Sequence, residues 1–386
     1  MGSFLTNKIK ANCSGCEACS NICPKNCITM KNDEEGFKYP NVDLEKCIKC
    51  NMCLKVCSYE NKNNIILDEE RDVYAVKNKH KDIHMNSSSG GVFTAISNYI
   101  IEQDGIIVGA KFSDEFSVEH SIASTKEERD MFRGSKYIQS NIKGKYKLIK
   151  KELLGGRKVL FVGNPCQVDG LNRYLGKKYG NLITLDFVCH GVPNYEIFRA
   201  HINNILKDYN ASIEDIKQIL FRDKSIEGST KSLRIDFKDG RTYLKNEVND
   251  EYYKLFSSNV ILRPSCYNCL YCNTNRVSDI TIGDFWGIEE VRPEFDDKLG
   301  VSLVIINTKK GKELFEVSKK DLNYEKCTLG EARLRQPNLK NPTTPSKKRK
   351  LFFQLYKKIG FKGAYILGIK IPKVIFKTIR KIKNYK

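Results

Sequence analysis

Apolar and polar positions along residues 67–340 alternate with two different periods, which predicts a body of strands and helices. A short strand is predicted over 72–76. The stretch 92–101 carries a 3.6-residue apolar period, follows Ser87-Ser88-Ser89-Gly90-Gly91 and ends at Asp104-Gly105. It reads as a helix with a serine N-cap and a glycine-rich entry. Strands are predicted over 105–112, 157–162 and 181–188, with a helix over 168–178. That strand–helix–strand unit implies a parallel pair and a right-handed crossover. Segments 233–237 and 242–244 flank Asp239-Gly240, a hairpin signal. Strands over 280–285 and 301–307 complete a mixed sheet. No G-x-G-x-x-G or G-x-x-x-x-G-K-[ST] occurs, so a standard dinucleotide or P-loop site is not supported.

Ahead of this body, cysteines dominate. Cys13, Cys16, Cys19 and Cys23, followed by Pro24, form one run, and Cys47, Cys50, Cys53 and Cys57 form a second. Both read C-x2-C-x2-C-x3-C, the spacing that wraps two [4Fe-4S] cubanes in bacterial-type ferredoxins, where each run lends its fourth cysteine to the other cluster. The expected cages are therefore Cys13, Cys16, Cys19 and Cys57, and Cys47, Cys50, Cys53 and Cys23. Zinc sites need a long gap between two C-x2-C pairs, and disulfide frameworks suit short secreted chains; neither pattern fits. The start, 1–10, lacks the apolar core of a secretory signal. Cys27 is a ninth thiol here, expected to be a packed spectator, and Ser58 stands where a second proline often follows the last ligand.

Further thiols fall at predicted strand ends, where open α/β sheets gather ligands. Cys166 lies in Gly163-Asn164-Pro165-Cys166-Gln167 and Cys189 in Cys189-His190-Gly191-Val192-Pro193; Cys266, Cys269 and Cys272 follow Arg263-Pro264-Ser265. Cys166, Cys189, Cys266 and Cys269 would supply a third cubane. The rival set takes Cys266, Cys269 and Cys272 with one strand-end thiol, and zinc is the alternative metal.

Composition adds two constraints. Fifteen cysteines in 386 residues point to a reducing, cytoplasmic setting and metal ligation. Of the formal net charge of +20, residues 345–386 supply fourteen Lys or Arg and no acid. Within that tail Ile371, Val374, Ile375 and Ile379 recur at helical spacing beside Lys373, Lys377, Arg380 and Lys381. Such a segment fits an anionic membrane surface at the inner face of the membrane, or equally a helix docked on the body with its charges in water. No nucleic-acid module accompanies it, and nucleic acid is not an expected partner.

Ser88-Ser89-Gly90-Gly91, Arg133 through Ser140, Asn164-Pro165-Cys166-Gln167, Asp186 through Pro193, and Ser278 through Gly287 occur in that order behind the dicluster head. As a set they resemble the coenzyme F-420 hydrogenase/dehydrogenase beta-subunit family over most of residues 10–300. The resemblance implies an α/β flavin domain with bound FAD, a [4Fe-4S] cluster beside it, hydride exchange with a 5-deazaflavin, and a redox partner protein or hydride-donor coenzyme. It implies that Ser88, Ser89, Gly90, Gly91, Ser135, Lys136 and Tyr137 contact flavin, with Asp284 and Trp286 shaping its pocket, and that Cys166, Cys189, Cys266 and Cys269 hold the nearby cluster. Lys136 would steady phosphates or reduced flavin, and His190 is the acid/base candidate.

The expected architecture is α+β and α/β: a dicluster ferredoxin domain over 1–66, a mixed-sheet flavin and iron–sulfur oxidoreductase domain over 67–340, and a basic helical tail over 341–386. The expected function is an iron–sulfur flavoprotein oxidoreductase. The alternatives are a flavin-free electron relay and a redox component of cell-surface polysaccharide synthesis.

Overall fold

The computed structural model describes residues 5, 8–61, 71–226 and 231–370. Thirteen strands occur among them: β1 Ile28–Asn32, β2 Lys38–Val42, β3 Val73–Asn78, β4 Ile106–Phe112, β5 Val118–Ala123, β6 Val159–Val162, β7 Leu182–Phe187, β8 Ile216–Leu220, β9 Ser232–Phe237, β10 Thr242–Asn246, β11 Ile280–Asp284, β12 Ser302–Ile306 and β13 Leu322–Cys327. Eight form one sheet in the order β13-β3-β12-β11-β7-β6-β4-β5. Its centre is parallel, β4 on β6, β6 on β7 and β7 on β11. Antiparallel strands close both flanks. The central strands are buried on both faces, which explains their near-continuous apolar sequence.

Helices cover the two faces. Val92–Glu102 and Lys309–Ser318 bury Ile96, Ile100, Leu314 and Phe315 on one side. Lys145–Leu154 and Pro165–Leu175 bury Tyr146, Ile149, Val168 and Leu171 on the other. Ala18 and Val56 of the cysteine-rich head enter this second core, so head and body share apolar contacts.

Several expectations shift. The helix predicted over 168–178 runs Pro165–Leu175, with proline in its first turn and Gly176 in the left-handed region after it. Cys166 therefore sits on the first helical turn. The 92–101 helix begins at Val92 as expected, but its N-cap is Gly91 and no serine caps it; the Ser88 hydroxyl is engaged elsewhere. The 233–244 hairpin stands outside the main sheet, in a three-stranded one of order β10-β9-β8. This sheet packs on helices Tyr195–Asp208, Glu251–Ser257 and Arg349–Tyr365 around Phe198, Phe221 and Tyr252.

The C-terminal helix Arg349–Tyr365 docks on the body. Phe352, Phe353, Phe361, Ala364 and Tyr365 are buried, while Lys357, Lys358 and Lys362 face water. Arg349 clamps Glu35 of the head hairpin (Nη1–Oε1 2.9 Å), and Phe353 lies against Phe37 with centroids 6.4 Å apart. Ile371, Val374, Ile375 and Ile379 lie outside the described residues. Among the described residues no helix is long and apolar enough to cross a membrane.

Truncating Phe353 to Ala should cost about 3–5 kcal/mol, the range for a buried aromatic. A urea unfolding curve with an earlier midpoint checks it.

Candidate redox site

The two cysteine runs fold alike. In the first, Gly15 and Glu17 have φ of 69° and 61°; in the second, Lys49 and Asn51 have 54° and 58°. These are the second and fourth residues after Cys13 and Cys47. Left-handed backbone at matched positions of both runs, only one of them glycine, is costly and turns successive cysteines toward one centre. A short helix follows each turn, Ala18–Ile22 and Met52–Lys55.

Cys13, Cys16, Cys19 and Cys57 line one cavity with Gly15, Val56 and Tyr59. Burial holds the Cys16 thiol up at about 12 and Cys19 well above its ordinary value, with neighbouring thiols adding to the effect. Cys23, Cys47 and Cys53 gather in a second apolar cluster with Cys27. Cys27 is buried as expected, yet its Sγ stands 3.3 Å from that of Cys23, so it contacts a cage thiol. Cys50 is exposed. Among the described residues no three ligand-type side chains converge tightly enough for a single ion; a four-iron cage spreads its thiolates around a cluster instead.

The first cage abuts the body. Glu17 accepts hydrogen bonds from the Ile142 and Lys143 amides (2.9 and 3.1 Å). Tyr146 Oη lies 3.0 Å from Cys16 O and 2.8 Å from Gln167 O. A Cβ placed on Gly170, one helical turn beyond Cys166, would stand 3.1 Å from Cys16 Cβ and 3.2 Å from its Sγ. Arg263, fully buried, donates from Nε to Cys13 O (2.7 Å), from Nη1 to Gln139 Oε1 (2.9 Å) and from Nη2 to Lys38 O (2.8 Å).

Behind that contact lie the body thiols. Cys166 is on the first turn after β6, Cys189 just past β7, and Cys266 in the turn Pro264–Asn268. A Cβ on Gly191 would lie 3.2 Å from Cys266 Cβ, and Cys189 Sγ is 3.9 Å from Asn164 Oδ1. Burial raises Cys166 and Cys189 strongly and Cys266 to about 12, and each feels the charge of Cys269. Cys272 lies against the same group. Its thiol hydrogen-bonds Cys269 and pulls it down to about 7, and Asn338 Nδ2 holds Cys272 Sγ at 3.9 Å. Buried Arg276, paired with Asp186 (3.1 Å), lowers both Cys189 and Cys269.

Polar side chains gather around Ser88 and Asp284. The Ser135 amide and hydroxyl both donate to Ser88 Oγ (2.7 and 2.9 Å), which joins the serine–glycine turn to the segment carrying Lys136 and Tyr137. Arg222 Nη1 bridges Asp284 Oδ2 (2.8 Å) and Tyr137 Oη (3.2 Å), and Trp286 Nε1 reaches the same Asp284 oxygen (3.2 Å). Lys224 Nζ meets His84 O (2.9 Å) and Ser89 O (3.4 Å). Lys231 Nζ sits 4.8 Å above the Trp286 ring, which is 38% exposed. Burial lowers Lys224 to about 8 and Lys136 to about 7. Lys136 is turned onto its own loop, within 3.0–3.3 Å of the Phe132, Arg133 and Gly134 carbonyls. The need for glycine at position 90 is steric, because a Cβ there would collide with the Val76 carbonyl. His190 leans on Phe256 (5.1 Å), and its buried Nε2 has no hydrogen bond; Arg133 Nε is likewise unpartnered.

The description "Coenzyme F420 hydrogenase/dehydrogenase, beta subunit" matches this chain twice, its N-terminal part over residues 73–144 and its C-terminal part over 156–329. The chain belongs to that beta-subunit family. A 4Fe-4S dicluster domain matches residues 12–61 ahead of it. A coenzyme F420-dependent sulfite reductase of Methanocaldococcus jannaschii is 24% identical over 313 residues, which are 78% of this chain and 45% of the relative. The chain thus spans under half the length of that relative. An uncharacterized ferredoxin of the same organism is 36% identical over 74 residues, 19% of this chain and 83% of the ferredoxin. Among solved structures, a chain of the F420-reducing [NiFe] hydrogenase complex from Methanosarcina barkeri aligns with TM-score 0.46 at 19% identity, covering 83% of this chain and 96% of its own.

For this beta-subunit relative, sequence reasoning missed four basic residues: Arg222, Lys224, Arg263 and Arg276. Phe221-Arg222-Asp223-Lys224 follows β8, a five-residue strand whose exposed Lys217, Gln218 and Leu220 hide its period. Arg263 and Arg276 bracket the Cys266–Cys272 segment, and that flanking was the available signal.

Asp284→Asn would leave Arg222 buried without its carboxylate. About 3 kcal/mol of stability should be lost, seen as a lower urea midpoint with an unchanged slope.

Proposed function

We propose that this chain is an iron–sulfur flavoprotein that exchanges a hydride with a deazaflavin-like or other two-electron substrate at the Ser88–Trp286 crevice. It would pass the electrons outward through three thiolate cages. The observation that carries this reading is spatial order. Asp284 ends β11, which pairs with β7 just ahead of Cys189, Cys166 shares a helix with Gly170 at the Cys16 contact, and Cys50 is exposed. Bound flavin would divide a hydride's two electrons, and bound cubanes would relay them singly.

The residues fit that assignment. Ser88, Ser135, Lys224 and Arg222 line the crevice with donors and positive charge, suited to the phosphates and ring carbonyls of an anionic dinucleotide. Trp286, 38% exposed, offers an apolar face. Burial lowers Lys136 to about 7, so a bound anion would favour its charged form. His190, next to Cys189 in the chain and packed on Phe256, is the acid/base candidate. Cys272 supports Cys269 by hydrogen bonding and is assigned no metal bond.

Anaerobic purification tests the reading. About twelve irons, four per cubane, and near-stoichiometric flavin that bleaches with a reduced deazaflavin are expected. Twelve irons without flavin would favour the relay alternative. Cys189→Ser should lose about four of the irons while Cys272→Ser keeps all of them; the reverse result would install Cys272 as a ligand.

A further inference from the structure

We propose that Arg263 is the counter-charge of the cage containing Cys13 and holds that cage's reduction potential up. The guanidinium is 0% exposed, and among the described residues no carboxylate lies within ion-pair distance of it. All three nitrogens donate to neutral acceptors: Cys13 O at 2.7 Å, Gln139 Oε1 at 2.9 Å and Lys38 O at 2.8 Å. The Tyr39 ring lies 4.4 Å from the guanidinium carbon and the Phe37 ring 5.7 Å. Carbonyls and ring faces solvate a cation in part, but a fully buried permanent charge demands an anion. Nη2 is 3.8 Å from Cys13 Sγ, and that sulfur is the anion available once the cage holds iron.

Only the two head cages are involved; neither flavin nor the third thiol group enters. Lys8, paired with Glu60 at 2.7 Å, also interacts with Cys57 of this cage, so the charge beside Cys13 itself comes from Arg263. Adding one electron adds one negative charge to the cage. A fixed cation beside Cys13 favours that reduced state, in a dry site where charge interactions are strong. Arg263 is thus a positioning residue with an electrical consequence: besides joining Cys13, Lys38 and Gln139, it biases the cage nearest the body toward accepting the electron.

The test is a potentiometric titration followed by electron paramagnetic resonance on anaerobic full-length protein, comparing wild type with Arg263→Gln and Arg263→Lys. In Arg263→Gln one head cluster should shift to lower midpoint potential while the other stays put. Arg263→Lys, which keeps the charge, should lie close to wild type. If Arg263→Gln loses one cluster's iron but Arg263→Lys retains it at wild-type potential, the need for the charge is confirmed at assembly. Unchanged potentials in an iron-replete Arg263→Gln would overturn the proposal. So would equal loss of iron in both variants, because the requirement would then be for the forked geometry alone.

Discussion

Head and body are held in one register by a buried guanidinium. Arg263 sits immediately before the Cys266 turn, yet its donors reach Cys13, Lys38 and Gln139, three segments far apart in sequence. Around it, Glu17 binds the Ile142 and Lys143 amides, and Arg349 holds Glu35 from the C-terminal helix. One-electron exchange weakens steeply with separation, so two thiol cages matter to each other only if their spacing is fixed. The fold fixes it at a residue without a side chain, Gly170, against Cys16.

Much of this was legible in sequence because covalent chemistry imposes spacing. The paired C-x2-C-x2-C-x3-C runs dictate the head, and left-handed backbone at matched offsets in both shows the same local geometry built from Gly15-Cys16-Glu17 and Lys49-Cys50-Asn51. The parallel unit around β6 and β7 was readable because buried strands are continuously apolar. Strand-end cysteines pointed to one crevice for the same topological reason.

What was missed depends on long-range contact. β5, β8 and β13 are short and partly exposed, so their period is blurred by polar residues. The serine–glycine turn looked like a helix cap, but tertiary structure sends Ser88 to Ser135 and lets Gly91 start the helix. The lysine-rich tail left a membrane surface and a helix docked on the body equally open, because amphipathic segments read alike in both settings; Phe352, Phe353 and Phe361 in fact pack into the core of the three-stranded sheet. The crevice cations Arg222 and Lys224 belong to no recognisable motif, and only folding places them beside Tyr137 and Ser89.

The structure thus sets Cys16 of the head against the helix that carries Cys166 of the body, and leaves Cys50 exposed. The most direct measurement is a quantitative anaerobic titration with dithionite, counting electrons taken up per polypeptide. Three cubanes and one flavin should take about five, one for each cluster and two for the flavin. An uptake of about two would leave only the head clusters and contradict the account.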